Sequence, residues 1–82
     1  SGPAGKYAVR FTGINSSDDY IRLIGYLQKQ AVVRRVTPVN ASPDGITLEL
    51  DLVSGVGGLK RATAKGGVIA GEEGDEPVFR LR

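Results

Sequence analysis

The side chains available for chemistry in this 82-residue chain are few, because it contains no His and no Cys. Histidine is the usual general base, and these two residues supply most transition-metal sites in proteins. Ser16, Ser17 and Ser54 therefore have no histidine to activate them as nucleophiles. We expect no catalytic residue, no cofactor and no bound metal, and we predict that the protein is not an enzyme.

A glycine-rich stretch, Gly55-Val-Gly-Gly-Leu59, is the best candidate for a ligand site. It follows a predicted strand and opens a predicted helix, where free backbone N–H groups favour anions. It lacks the spacing of phosphate-binding and dinucleotide-binding loops. Two interpretations stay open: an anion or ligand site, or glycines that let the helix approach the sheet. The candidate ligand residues are Gly55, Gly57, Gly58, Lys60 and Arg61.

The acidic residues favour solvated or capping roles over metal binding. Asp18 and Asp19 suit a helix N-terminus, where the helix dipole stabilises negative charge. Glu72, Glu73, Asp75 and Glu76 lie in a predicted loop without the pattern of a calcium-binding loop. The net charge of +2 is too small to indicate a polyanion partner.

Four predicted strands would position the candidate ligand residues and the acidic residues. Hydrophobic alternation and β-branched residues indicate strands at 7–12, 32–39, 46–53 and 78–82. Pro38 cannot donate a hydrogen bond to a sheet, so the second strand should lie at an edge or bulge there. Turn-forming residues at 40–45 should reverse the chain into a hairpin.

Two helices are predicted between the strands. The first, about 16–30, has one apolar stripe, and Ser16 stands three residues before Asp19 as in a capping box. The second, 54–65, is weaker because a helical glycine costs about 1 kcal/mol relative to alanine. Residues 68–70 form only a short apolar segment.

The element order β-α-β-β-α-β predicts an α+β fold. We expect a two-layer ferredoxin-like split βαβ sandwich with an antiparallel sheet in the order 4-1-3-2. Residues 1–5 are expected to be an expression-tag remnant and disordered lead, and residues 6–82 a single domain. The predicted core residues are Val9, Phe11, Leu23, Leu27, Leu48, Leu50 and Phe79.

The polar face of the predicted sheet argues against nucleic-acid binding. It has no aromatic side chain on which bases could stack, and Arg10 is expected opposite Glu49 or Asp51 as a cross-strand charge pair. The apolar stretches are also far shorter than the roughly 18 residues of a membrane span. We therefore expect neither a nucleic-acid partner nor insertion of this domain into a membrane.

A protein partner fits the remaining surface features better. The edge strand could accept another strand, although Arg34, Arg35 and Pro38 are also typical of edge protection. Tyr26 lies off the apolar stripe and near Arg22, which indicates either a contact point or packing under a loop. The candidate partner contacts are Arg22, Tyr26, Arg34 and Arg35.

Residues 11–27, followed by Val32-Val33-Arg34-Arg35-Val36, resemble the C-terminal part of an exported proteobacterial family whose function is unknown. The matching positions are Gly13, Ile14, Asp19, Tyr20, Tyr26, Leu27, Val33 and Val36. The resemblance covers about residues 9–82. It implies a periplasmic location and supplies no reaction, and a cytoplasmic location stays open.

The chain also has a weaker likeness to SPOR-type peptidoglycan-binding domains and to other periplasmic ferredoxin-like domains. Thr47, Glu49 and Asp51 stand where such domains carry an aromatic and glycine-rich strand. The expected function is a non-enzymatic interaction or scaffold module of a bacterial envelope protein. The alternative is a small-ligand or glycan-binding module that uses the 12–17 turn or the Gly55–Lys60 helix start.

Overall fold

The computed structural model of the protein describes residues 2–82. It contains two helices and five strands, one strand more than the sequence predicts. In chain order they are β1 Gly5–Thr12, α1 Ser17–Gln28, β2 Val33–Ser42, β3 Gly45–Leu52, α2 Gly55–Thr63, β4 Ile69–Gly71 and β5 Val78–Leu81.

The strands form one mixed sheet in the order β2-β3-β1-β5-β4, so the predicted ferredoxin-like antiparallel sheet is wrong. The β2–β3 and β3–β1 pairs are antiparallel, and β3 lies beside β1 as predicted. The last strand, β5, also lies beside β1 but runs parallel to it. The additional strand, β4, pairs antiparallel with β5 at the outer edge.

The difference arises in the segment after α2. A ferredoxin-like chain would return directly beside β1 as its last strand. Here the chain first forms β4 from Ile69–Gly71, then turns through the acidic loop and inserts β5 between β4 and β1. Phe79 is opposite Phe11 in this register, and their rings stack with centroids 5.8 Å apart. This aromatic pair packs the parallel strands together.

Helix α1 begins as its sequence indicates. The Oγ of Ser16 accepts a hydrogen bond from the Asp19 backbone N–H at 3.1 Å, which confirms the predicted N-cap. Asp19 in return accepts from the backbone N–H of Asn15 at 2.9 Å, one residue earlier than in a standard capping box. The start of α1 is therefore fixed by two side-chain hydrogen bonds.

Strand β2 lies at the edge of the sheet and is irregular, as Pro38 predicted. Its register against β3 shifts twice, between Val33 and Arg35 and between Pro38 and Asn40. Arg34 and Val39 consequently have no partner on β3, and each is the extra residue of a bulge. The strand extends to Ser42, so the predicted turn shortens to Pro43 and Asp44.

The core lies between one face of the sheet and the two helices. The predicted core residues Val9, Phe11, Leu23, Leu27, Leu48, Leu50 and Phe79 all have 0% exposure, which confirms them. The same cluster also contains Val33, Leu52, Leu59, Ile69 and Leu81. The other face of the sheet keeps the polar residues of the strands.

Candidate functional site

Residue 2 of the chain packs against the start of α2, where the sequence predicts an anion site. Gly55 has φ +72°, and a Cβ there would lie 2.9 Å from the Gly2 Cα. The Gly2 backbone N–H donates to the Ser54 carbonyl at 2.7 Å. Gly55 is thus required by backbone conformation and by the close approach of residue 2.

The other predicted ligand residues of α2 are divided between the helix start and β4. A Cβ at Gly58 would overlap the Oγ of Ser54, so this glycine makes room for a neighbouring side chain. Arg61 is exposed, and its Nη2 lies 4.0 Å from the same Cβ position. Lys60 extends towards β4, where its Cε lies 3.0 Å from the Cβ position of Gly71. Gly55 and Gly58 therefore have local steric roles.

The turn at 12–17, which the sequence offers as an alternative ligand-binding site, is also held by internal contacts. Gly13 has φ +79°, and a Cβ there would lie 2.9 Å from the Leu81 carbonyl oxygen. Ser16 and Asn15 are engaged with Asp19 at the helix start. The Ser16 hydroxyl and the Asn15 backbone N–H therefore already form hydrogen bonds within the protein.

The structure separates the four predicted partner contacts into two pairs. Arg22 donates to the main-chain oxygen of Arg82, and the Tyr26 hydroxyl lies over Gly66. Arg34 and Arg35 instead lie on β2 and line a depression of about 330 Å³. Tyr26 is half-buried, in keeping with the interpretation that it packs under a loop.

The predicted pairing of Arg10 with an acid is wrong. Arg10 lies opposite Thr47 in the register, whereas Glu49 is opposite Ala8 and Asp51 is opposite Lys6. The Arg10 guanidinium lies over Gly45 instead, 3.3 Å from the position of a Cβ there. The alternation pattern gives the face of a residue but not its cross-strand neighbour.

A trough between α1 and β2 is the most developed surface feature of the described chain. It consists of three connected depressions of about 330, 420 and 630 Å³. The first two share Gln28 and Val36, and the last two share Tyr20 and Pro38. We call this surface the α1–β2 trough; its members are Ile14, Ser16, Ser17, Tyr20, Ile21, Ile24, Gly25, Gln28, Val33, Arg34, Arg35, Val36, Pro38, Val39, Asn40, Ala41 and Ile46.

The trough carries the most exposed large hydrophobic side chains of residues 2–82. Ile21 on α1 is 66% exposed and Val39 on β2 is 60% exposed. Val39 is the unpaired residue of the second bulge of β2, a strand of which eight of ten residues are exposed. Water therefore covers two large apolar side chains that another molecule could cover instead.

Gly25 leaves space on the helix side of the trough. A Cβ at this position would meet no atom within 4 Å, so no internal packing requires a glycine there. A glycine inside an exposed helix costs about 1 kcal/mol relative to alanine. The domain thus has a destabilising residue that flattens the helix surface beside Ile21.

The charges are distributed unevenly along the trough. Arg34 and Arg35 lie at the start of β2, and Asp18 and Asp19 lie at the start of α1, beside the opposite end. The only carboxylate within 4.0 Å of either arginine, among residues 2–82, is that of Asp51, 3.9 Å from Arg34. Arg35 is opposite Asp51 in the register and Arg34 contacts Asp51, so both arginines belong to the polar face of the sheet beside this end of the trough, whose middle is apolar.

Sequence reasoning found the arginines of this surface but missed its apolar part. Two signals were present: Ile21 lies beside the apolar stripe of α1 rather than within it, and Pro38 indicated an irregularity next to Val39. Neither signal shows that these residues line the same surface. To recognise this surface, one needs the position of α1 relative to the edge strand.

Comparisons with protein-family models, with curated proteins and with solved structures found no match to this chain. The resemblance to an exported proteobacterial family therefore stays a prediction. Within residues 2–82, neither helix is long and apolar enough to cross a bilayer.

Proposed function

We propose that this protein is a non-enzymatic protein-interaction module and that it binds its partner at the α1–β2 trough. The observation that carries the proposal is the exposure of Ile21 and Val39, which line two adjoining depressions that share Tyr20 and Pro38. Exposed apolar side chains that gather in one place mark contact surfaces in soluble domains. Its place in a bacterial envelope protein is supported only by the sequence resemblance.

The character of the trough favours a protein over a small ligand. Small-molecule sites are usually deep, and they place a few polar groups around an enclosed cavity. Here the depressions are open and elongated, and they follow an edge strand and an exposed helix face. Protein partners commonly use such an edge or groove for recognition.

Site-specific photo-crosslinking tests the proposal. Benzoylphenylalanine is placed at position 21, 39 or 62 of the chain, which is produced in its native host and irradiated. Ala62 is exposed on α2 and provides the control position. We expect the same discrete protein adduct from positions 21 and 39 and none from position 62. Equal labelling from all three positions, or no adduct from any, would contradict the proposal.

A further inference from the structure

We infer that the α1–β2 trough binds an extended peptide segment of a partner protein, with apolar side chains along the trough and acidic residues beside Arg34 and Arg35. This inference rests on the proposed function and specifies the partner's chemistry. Its basis is the combination of an open strand edge, an apolar trough along that edge and two arginines at the start of that edge, of which Arg35 has no carboxylate within 4.0 Å among residues 2–82.

The first argument is the edge of β2. This strand has a neighbour only on its β3 side among the described residues. Eight of its ten residues are exposed. Backbone groups on the outer side of an edge strand are free to pair with an added strand, which gives affinity independent of sequence. An extended peptide can form backbone hydrogen bonds with these groups, whereas a helix forms its backbone hydrogen bonds within itself.

The second argument is the position of the apolar depressions. Val36, Pro38 and Ala41 are opposite Leu50, Leu48 and Ile46 in the register, so they belong to the helix-facing side of the sheet. Helix α1 leaves this side of the edge strand partly uncovered. A strand added to β2 would direct every second side chain towards the same side. Alternate apolar residues of the partner can therefore enter the trough.

The third argument is charge complementarity. Two consecutive arginines, Arg34 and Arg35, lie on the polar side of β2 at one end of the trough, and only Arg34 has a carboxylate within 4.0 Å among residues 2–82. The side chains of an added strand that do not enter the trough would be directed to this polar side. Arginine recognises carboxylates through its planar set of donors. An acidic residue of the partner at this end would complete the site, and a basic residue would be repelled.

Peptide selection followed by mapping tests the inference. The 82-residue chain is immobilised and presented with phage-displayed random peptides of about 12 residues, enough to span β2 at roughly 3.3 Å per residue. We expect enrichment of sequences with alternating apolar residues and acids at one end. In the ¹⁵N spectrum of the chain, the selected synthetic peptide should shift the amides of Thr37, Val39, Asn40 and Ala41 and slow their hydrogen exchange.

Charge reversal provides the matched comparison. R34E/R35E should weaken binding of that peptide by about 10-fold or more, because opposite-sign contacts become repulsive. R61E/K65E reverses the same number of charges on the exposed surface in and after α2 and should change affinity less than about 2-fold. If R34E/R35E fails to fold, R35E alone gives the answer, since Arg35 holds no ion pair within residues 2–82.

The outcomes separate the inference from the proposed function. Selected peptides that lack acids, bind as helices by circular dichroism, or tolerate R34E/R35E would overturn the inference. Self-association of the chain through β2 in sedimentation would also overturn it. If no peptide is selected while positions 21 and 39 still crosslink to a protein, the inference is wrong and the proposed function stands. If positions 21 and 39 also fail to crosslink, both are wrong.

Discussion

Arg34 contacts Asp51 across the β2–β3 ladder with 3.9 Å between Nη1 and Oδ1, although the residue opposite Asp51 in the register is Arg35. The bulge at Arg34 produces this arrangement, because it adds one residue to β2 without a partner on β3. Asp51 therefore neutralises part of the charge of one arginine, and Arg35 stays available for a partner. The second bulge of the same strand has Val39 as its unpaired residue.

The Arg34–Asp51 pair is expected to contribute little to stability. The Arg34 side chain is 56% exposed, and exposed ion pairs contribute about 0–1 kcal/mol. R34Q, D51N and the double variant should give a coupling energy below about 0.5 kcal/mol in urea unfolding. A coupling energy above about 1.5 kcal/mol would show that the pair has a structural role, and it would argue against the assignment of Arg34 to partner binding.

Replacement of Gly25 by alanine should stabilise the isolated domain. The added Cβ meets nothing within 4 Å, so the expected gain is the helix-propensity difference of about 1 kcal/mol. Gly58→Ala is the matched change in α2, and it should destabilise, because its Cβ overlaps the Oγ of Ser54. Melting temperatures of both variants check this pair, and a loss of stability in Gly25→Ala would refute it.

The cap of α1 gives a third expectation. Ser16→Ala should lower the free energy of unfolding by about 1 kcal/mol, because it removes the acceptor of the Asp19 N–H. Ser17→Ala is the control, since Ser17 is exposed and is the first helical residue. Chemical denaturation should separate the two variants. Equal values would mean that Ser16 does not cap the helix in solution.

The parallel placement of β5 leads to a fourth expectation. Phe79 is fully buried against Phe11, so Phe79→Ala should cost about 3–5 kcal/mol, enough to unfold much of a small domain. Arg80→Ala, at an exposed position whose ion pair within residues 2–82 is with Glu72 at 3.5 Å, should cost less than about 1 kcal/mol. Thermal unfolding followed by circular dichroism measures both. A mild effect of Phe79→Ala would indicate that β5 does not pack against β1.

The sequence predicted the parts of the fold that depend on local pattern. Alternation in β1 and β3 identified Val9 and Leu48 as core residues, and Ser16 with Asp19 located the start of α1. The direction of β5 was not predictable in this way. Phe79 and Leu81 are buried equally well in a parallel or an antiparallel strand, and β4 has only three residues, too few to show a period.

The candidate site was predictable only in part, for a similar reason. Arg34 and Arg35 were recognised as edge residues because charge on a strand has a known role there. Val39 is the unpaired residue of a bulge, and the bulge depends on how β2 fits against β3. Such long-range fit has no signature in a single sequence. The trough between two elements therefore became visible only in three dimensions.

The central claim is that a partner protein binds at the α1–β2 trough. It is tested most directly by isothermal titration of the chain with the partner protein that crosslinks at positions 21 and 39. The chain and its I21S/V39S variant are compared, with A62S as the surface control. The claim predicts that I21S/V39S binds at least about 10-fold more weakly, with an unchanged melting temperature, and that A62S binds as the unaltered chain does. Binding of I21S/V39S within about 2-fold of the unaltered chain would contradict the assignment of the α1–β2 trough as the interaction surface.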